Sequence, residues 1–273
     1  MNKLLTAALT TTLLLSGQVM AHGDEDEHSN NYSFNSNECS INLNYGVVVE
    51  GSQIRFLSDD NTYVQINDQQ QLFVQGKQVS LNDKQQQLVS EYAFGINKQV
   101  PEIVNLALDA TEVAFQAVSH VVSSISGDNA ESNDKVNAIF AEIKDKMHSR
   151  FNNDNGNYYL AEQNFTEFDE YMEDELEDEI EALVSESVGD ILIAVGTAIN
   201  SEDGSFEEKM AAFGERMERM GEEIEVAVEA KAEALEAQAD KLCGNLKDLD
   251  VIEQELSDSV AELSSFDLIS VTD

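Results

Sequence analysis

Two cysteines and a dense run of carboxylates are the side chains of this chain best suited to chemistry. Cys39 and Cys243 are its whole complement of thiols. In an oxidising compartment a lone pair is most simply a disulfide. Two free thiols or a redox pair are the alternatives, less favoured because there is no Cys-x-x-Cys and the partners stand far apart in sequence. Closing so long a loop would restrict the unfolded chain by roughly 5 kcal/mol in the chain-entropy picture. Among the carboxylates, Glu173 with Glu177 and Asp174 with Asp178 stand one helical turn apart, a spacing that would let a calcium ion bridge them weakly.

Other candidates fall away on their own chemistry. The run 152–156 has the look of a calcium loop, and alignment on Gly156 puts Asn153, Asn155 and Glu162 at the third, fifth and twelfth positions. Phe151, however, occupies the first position, where an oxygen ligand is needed, so the run reads as an Asn/Gly turn. His22 and His28 offer imidazoles to copper, but in a spacing that is not diagnostic of a site. His120 has no nucleophile motif beside it and reads as a packed or boundary histidine. There is no Gly-x-Ser-x-Gly, no His-Glu-x-x-His, no P-loop and no dinucleotide fingerprint. Paired carboxylates are everywhere in the chain, so none marks an acid–base site. A non-enzymatic protein with no cofactor is the expectation.

The 15 basic residues face 54 acidic ones, a formal charge of −39. Nucleic acid is excluded as a direct partner, because phosphate binding needs clusters of Lys and Arg. Residues 151–208 hold 18 acids and no Lys or Arg. Such a run reads as a solvated, self-repelling surface, with multivalent cations or a basic partner as the sharper alternatives.

The elements that must carry these residues follow from periodicity. Residues 1–21 read as a signal peptide, with Lys3, an apolar stretch, and Val19 and Ala21 placed for cleavage after Ala21. Cleavage there removes one lysine and no acid, taking the charge to −40. No later run is long and apolar enough to span a membrane. Residues 22–38 read as a disordered acidic leader. Short alternating runs between turn residues make 39–81 an antiparallel β-meander. Residues 82–151 read as core helices: Asn82 caps the first, which runs to about Gly95; Pro101 opens a second, apolar nearly all round and so buried; and a third begins near Asp134. Residues 160–243 read as a long acidic helical hairpin with a coiled-coil-like seam, whose second arm carries Met210, Met217 and Met220. Gly244 reads as a helix stop, leaving 245–273 as a separate amphipathic helix. The fold class is α+β, mainly α: a small antiparallel sheet packed on a helical bundle with a long hairpin.

Cys39-Ser40, Gly76-Lys77-Gln78, Ser80-Leu81-Asn82, Tyr92, Pro101 with Ile103, and the late Cys243 together resemble the YggN-like family of small exported proteins of gamma-proteobacteria, which are uncharacterised. The chain departs from that pattern in its heavier acidity, its acidic leader and its extension after Cys243. The resemblance implies a periplasmic address and supports the disulfide; it carries over no catalytic residue. The functional expectation is an interaction, scaffold or chaperone-like protein of the cell envelope, binding a protein partner through the surface at Met210, Met217 and Met220, since methionine suits adaptable contacts. The alternative is weak divalent-cation binding at Glu173, Asp174, Glu177 and Asp178. No oligomeric state follows from the sequence.

Overall fold

The computed structural model describes residues 32–35, 39–59, 61–126, 130–153, 156–171, 173, 182, 185 and 206–272. The signal segment 1–21 and most of the first arm of the expected hairpin lie outside the described residues.

The alternation in the N-terminal third folds as period-two burial requires. Strands β3 (Gly46–Glu50), β4 (Gln53–Ser58), β5 (Asn61–Asn67), β6 (Gln71–Val74) and β7 (Lys77–Gln78) form an antiparallel meander. In β4, β6 and the second half of β5 alternate side chains are buried, among them Ile54, Phe56, Val64, Ile66 and Leu72. The β5–β6 turn is tight: Asp68 and Gln69 adopt φ of 49° and 56°, and Gln70 N donates to Asn67 O at 3.1 Å. Two left-handed central residues give the turn the twist that hairpins favour.

The meander is the centre of a larger sheet, ordered β7-β6-β5-β4-β3-β9-β8, with β8 (Asn152–Asn153) and β9 (Asn157–Leu160) joined through Gly156 at φ 75°. The Asn/Gly turn is therefore a hairpin tip. Strand β9 covers the edge of β3, pairing Val47 with Leu160 and Val49 with Tyr158. Gly46 permits the approach, since a Cβ there would lie 2.9 Å from the Ala161 Cα.

A second sheet, β1-β2-β10, joins β1 (Tyr32–Asn35), β2 (Ser40–Leu43) and β10 (Ile269–Thr272), all antiparallel. Two expectations are corrected here. Part of the leader 22–38 is a strand, and the segment 245–273 does not end as a helix. Strand β2 supplies the cause, because it buries Ile41 and Leu43 while its backbone groups need partners on both sides.

Four α-helices, α1 (Asp83–Ser126), α2 (Ala130–Phe151), α3 (Glu162–Tyr171) and α4 (Phe206–Ser259), and a short 3-10 turn at Ala261–Leu263 are found among the described residues. Helix α1 opens with the capping box read from the sequence. Gln85 N donates to Asn82 Oδ1 at 3.0 Å, and Asn82 N to Gln85 Oε1 at 2.9 Å. Pro101 does not start a helix; it lies inside α1. A mid-helix proline forfeits one backbone hydrogen bond, at a cost of about 3 kcal/mol. Burial of Val100, Ile103 and Val104 around it offsets that loss. Gly244 likewise stops nothing, and residues 245–259 continue α4. Helices α1 and α4 run antiparallel, with Gln85 against Ser259, Tyr92 against Glu253 and Gln99 against Asn245. Gly95 sets their separation, since a Cβ there would lie 2.1 Å from Leu249 Cδ2. The distal part of α1 is less buried than its apolar pattern implies: Val118 and His120 are exposed.

Candidate functional site

A buried cluster of polar groups converges on Glu253. It sits on α4 between Leu249 and Leu256, on the stripe that faces α1 and the sheet, and is only 6% exposed. The Tyr92 hydroxyl donates to its Oε2 at 2.6 Å. Ile269 N donates to the same oxygen at 3.2 Å, and Leu268 N donates to Oε1. One carboxyl thus ties α4 to α1 and to the start of β10. One turn earlier, Asp250 Oδ2 accepts from Val271 N at 3.0 Å. Ile269 and Val271 are alternate residues of β10, so both of these amides point away from β2. Two carboxylates of α4 stand where a further strand would supply carbonyls, and the outer edge of β10 is closed without one.

Burial pushes the Glu253 carboxyl up to about 7, even though the Tyr92 hydroxyl and the two amides pull it down. The same burial, with the carboxyl beside it, holds the Tyr92 hydroxyl well above its ordinary range. A cavity of about 10 Å³ adjoins the pair, walled mainly by apolar side chains such as Val64, Leu72, Val89 and Leu268. That is about one water's worth of space, too little for a substrate. Through these partners Glu253 holds the C-terminal strand against α4 and α1.

A second polar group lies on the outward face of the larger sheet. Arg55 Nη2 pairs with Glu50 Oε2 at 2.6 Å, and the Tyr159 hydroxyl donates to Glu50 Oε1 at 3.0 Å. The group spans β3, β4 and β9 and reinforces the pairing of β9 with β3. At the α2–α3 corner Arg150 pairs with Glu167, and the Lys146 ammonium lies 4.6 Å from the centre of the Tyr171 ring. Bases of α2 thus meet the start of the acidic run.

Of the residues singled out by sequence, Cys39 and Cys243 are brought together. They form a disulfide across 204 residues, with Cα atoms 6.4 Å apart and both side chains buried. It fastens the entry to β2 to α4 where that helix enters the core. Met210, Met217 and Met220 lie on α4, but their side chains fall outside the described residues. Glu173 is exposed, whereas Asp174, Glu177 and Asp178 lie outside the described residues. Among the described residues, no group of three or more His, Cys, Asp or Glu is arranged to hold a metal ion. No described helix is long and apolar enough to cross a membrane. Sequence reasoning missed Glu253, although a signal was present: a carboxylate four residues after Leu249 and three before Leu256 interrupts an apolar stripe.

A family model described as "Protein of unknown function (DUF2884)" matches residues 39–269. No curated protein and no solved structure matches the chain. The matched span opens at the first disulfide cysteine and closes at the first residue of β10, which pairs with Leu43 of β2. Its two ends are therefore neighbours in one sheet. The matched span covers most of the chain, which thus belongs to the DUF2884 family of unknown function.

Proposed function

We propose that this protein is an exported, periplasmic, non-enzymatic interaction protein of the YggN-like kind, and that α4 presents its partner-binding surface. One observation carries the reading. Helix α4 runs unbroken for 54 residues, yet none of its described side chains between residues 208 and 241 is buried, while Leu242, Cys243, Leu246, Leu249 and Leu256 all are. The stretch from Phe206 to Lys241, 36 residues at ~1.5 Å each, is about 54 Å long. Among the described residues, the fully buried side chains of this helix are confined to its C-terminal third, and a long surface anchored by a core and a disulfide suits a scaffold. Val226, 73% exposed on that surface, is an apolar side chain without a packing role.

Affinity capture of the exported protein after mild crosslinking tests the reading, comparing the natural chain with a variant carrying Met210→Gln, Met217→Gln and Met220→Gln. The expected result is a discrete set of partners lost in the variant at unchanged melting temperature. Identical captures, or none from either chain, count against it.

The 18 acids and absent bases of residues 151–208 favour one second reading, weak calcium binding around Glu173, Asp174, Glu177 and Asp178. It requires a rise in melting temperature with millimolar calcium that sodium at equal ionic strength does not reproduce.

A further inference from the structure

The C-terminal segment is held by acids and covers apolar surface. Leu263, Phe266 and Leu268 help wall the small cavity against the sheet and α1, and Leu268 and Ile269 are buried. On the inner side β10 pairs with β2, and Asn44 N donates to Leu268 O at 3.1 Å. On the outer side its amides depend on Glu253 and Asp250. Three donors favour a charge on Glu253, but burial opposes it more strongly: the carboxyl is almost fully buried and the adjoining space is water-sized and mainly apolar. The titratable groups facing it are Tyr92 from α1, Asp250 on α4, Asp267 at the head of β10 and Tyr45 from the β2–β3 link. None of these brings a positive charge.

We propose that Glu253 is a proton-dependent clamp on the C-terminal strand, closed when its carboxyl is neutral and loosened when it is ionised. When closed, a neutral carboxyl still accepts from Leu268 N at Oε1, so the strand stays fastened with no charge in the core. Displacing β10 lets an ionised carboxyl reach water and frees one edge of β2.

The sign follows from linkage. An exposed glutamate titrates near 4.5, and the buried one is pushed up to about 7. The closed form binds the proton more tightly than the open form, so the closing contribution is complete below 4.5 and is lost as pH rises through 7. Between those two values the open-to-closed ratio rises with pH, by roughly tenfold from pH 6 to pH 8, and it levels off above that.

Hydrogen exchange on the full chain, read on the peptide spanning residues 264–273 and corrected for the intrinsic pH dependence of exchange, tests the clamp. The expected result is a loss of protection of about tenfold between pH 6 and pH 8 in that peptide and not in β4 or β5. Glu253→Gln should flatten the profile. Because that variant places an amide against backbone donors, Asp267→Asn provides a milder check: it removes a charge that raises the Glu253 midpoint and leaves the backbone contacts of residue 267, so the profile should move to lower pH. A flat profile in the natural chain, or an unmoved midpoint in Asp267→Asn, overturns the proposal.

Discussion

At the scale of single residues, the fold turns on a few positions where one atom decides how closely two elements meet. Gly95 is the sharpest of these. A Cβ there falls within 2.1 Å of the buried Leu249 side chain. Gly95→Ala gains ~1 kcal/mol of helix propensity, but overpacking of this kind costs roughly 1–3 kcal/mol. A net loss of about 1 kcal/mol is expected by denaturant titration. In a Leu249→Ala background, where the clash is gone, the same substitution should be neutral or stabilising. Glu253 shows what sequence conveys at this scale and what it does not. Its place on an apolar stripe was legible; its partners were not, because Leu268 and Ile269 present backbone amides, which leave no trace in side-chain pattern.

At the scale of elements, helices and strands announced themselves by period, while their ends and pairings did not. Pro101 is a sound local start signal and Gly244 a sound stop signal, and both were overridden by tertiary burial on either side: Val100 and Ile103 around the one, Cys243 and Leu246 around the other. Strands β9 and β10 are four residues each, too short to declare a period, and each must find a partner, β3 or β2, more than a hundred residues away. One consequence concerns the C-terminal segment, which the sequence read as a separate amphipathic helix. Leu246, Leu249, Leu256, Val260, Leu263, Leu268 and Ile269 are all buried. Removing residues 245–273 should therefore abolish cooperative unfolding, as followed by circular dichroism. A truncated chain that remained a compact monomer would contradict the packing. The disulfide acts on the same joint. Replacing both Cys39 and Cys243 by Ser releases a loop of 204 residues, and in the chain-entropy picture the folded state should lose up to about 5 kcal/mol, read as a lower denaturant midpoint.

At the scale of the whole molecule, composition and texture gave the class correctly. An antiparallel sheet packed on helices, mainly α, is what alternation followed by helical spacing implies. What texture did not convey is that α4 pairs with α1 and that its C-terminal third closes the core. Export has a direct check: the mature chain should begin at His22 by intact mass, and Cys39 and Cys243 should resist maleimide until reduced. The central claim is that one helix both completes the core and presents a surface for a partner. The most direct measurement places a photocrosslinking residue in the full protein at Val226 or, as a control on the core part of the same helix, at exposed Val251. A discrete adduct from Val226 that is absent from Val251 is the predicted result. No adduct from Val226, or the same adducts from both sites, would contradict the claim.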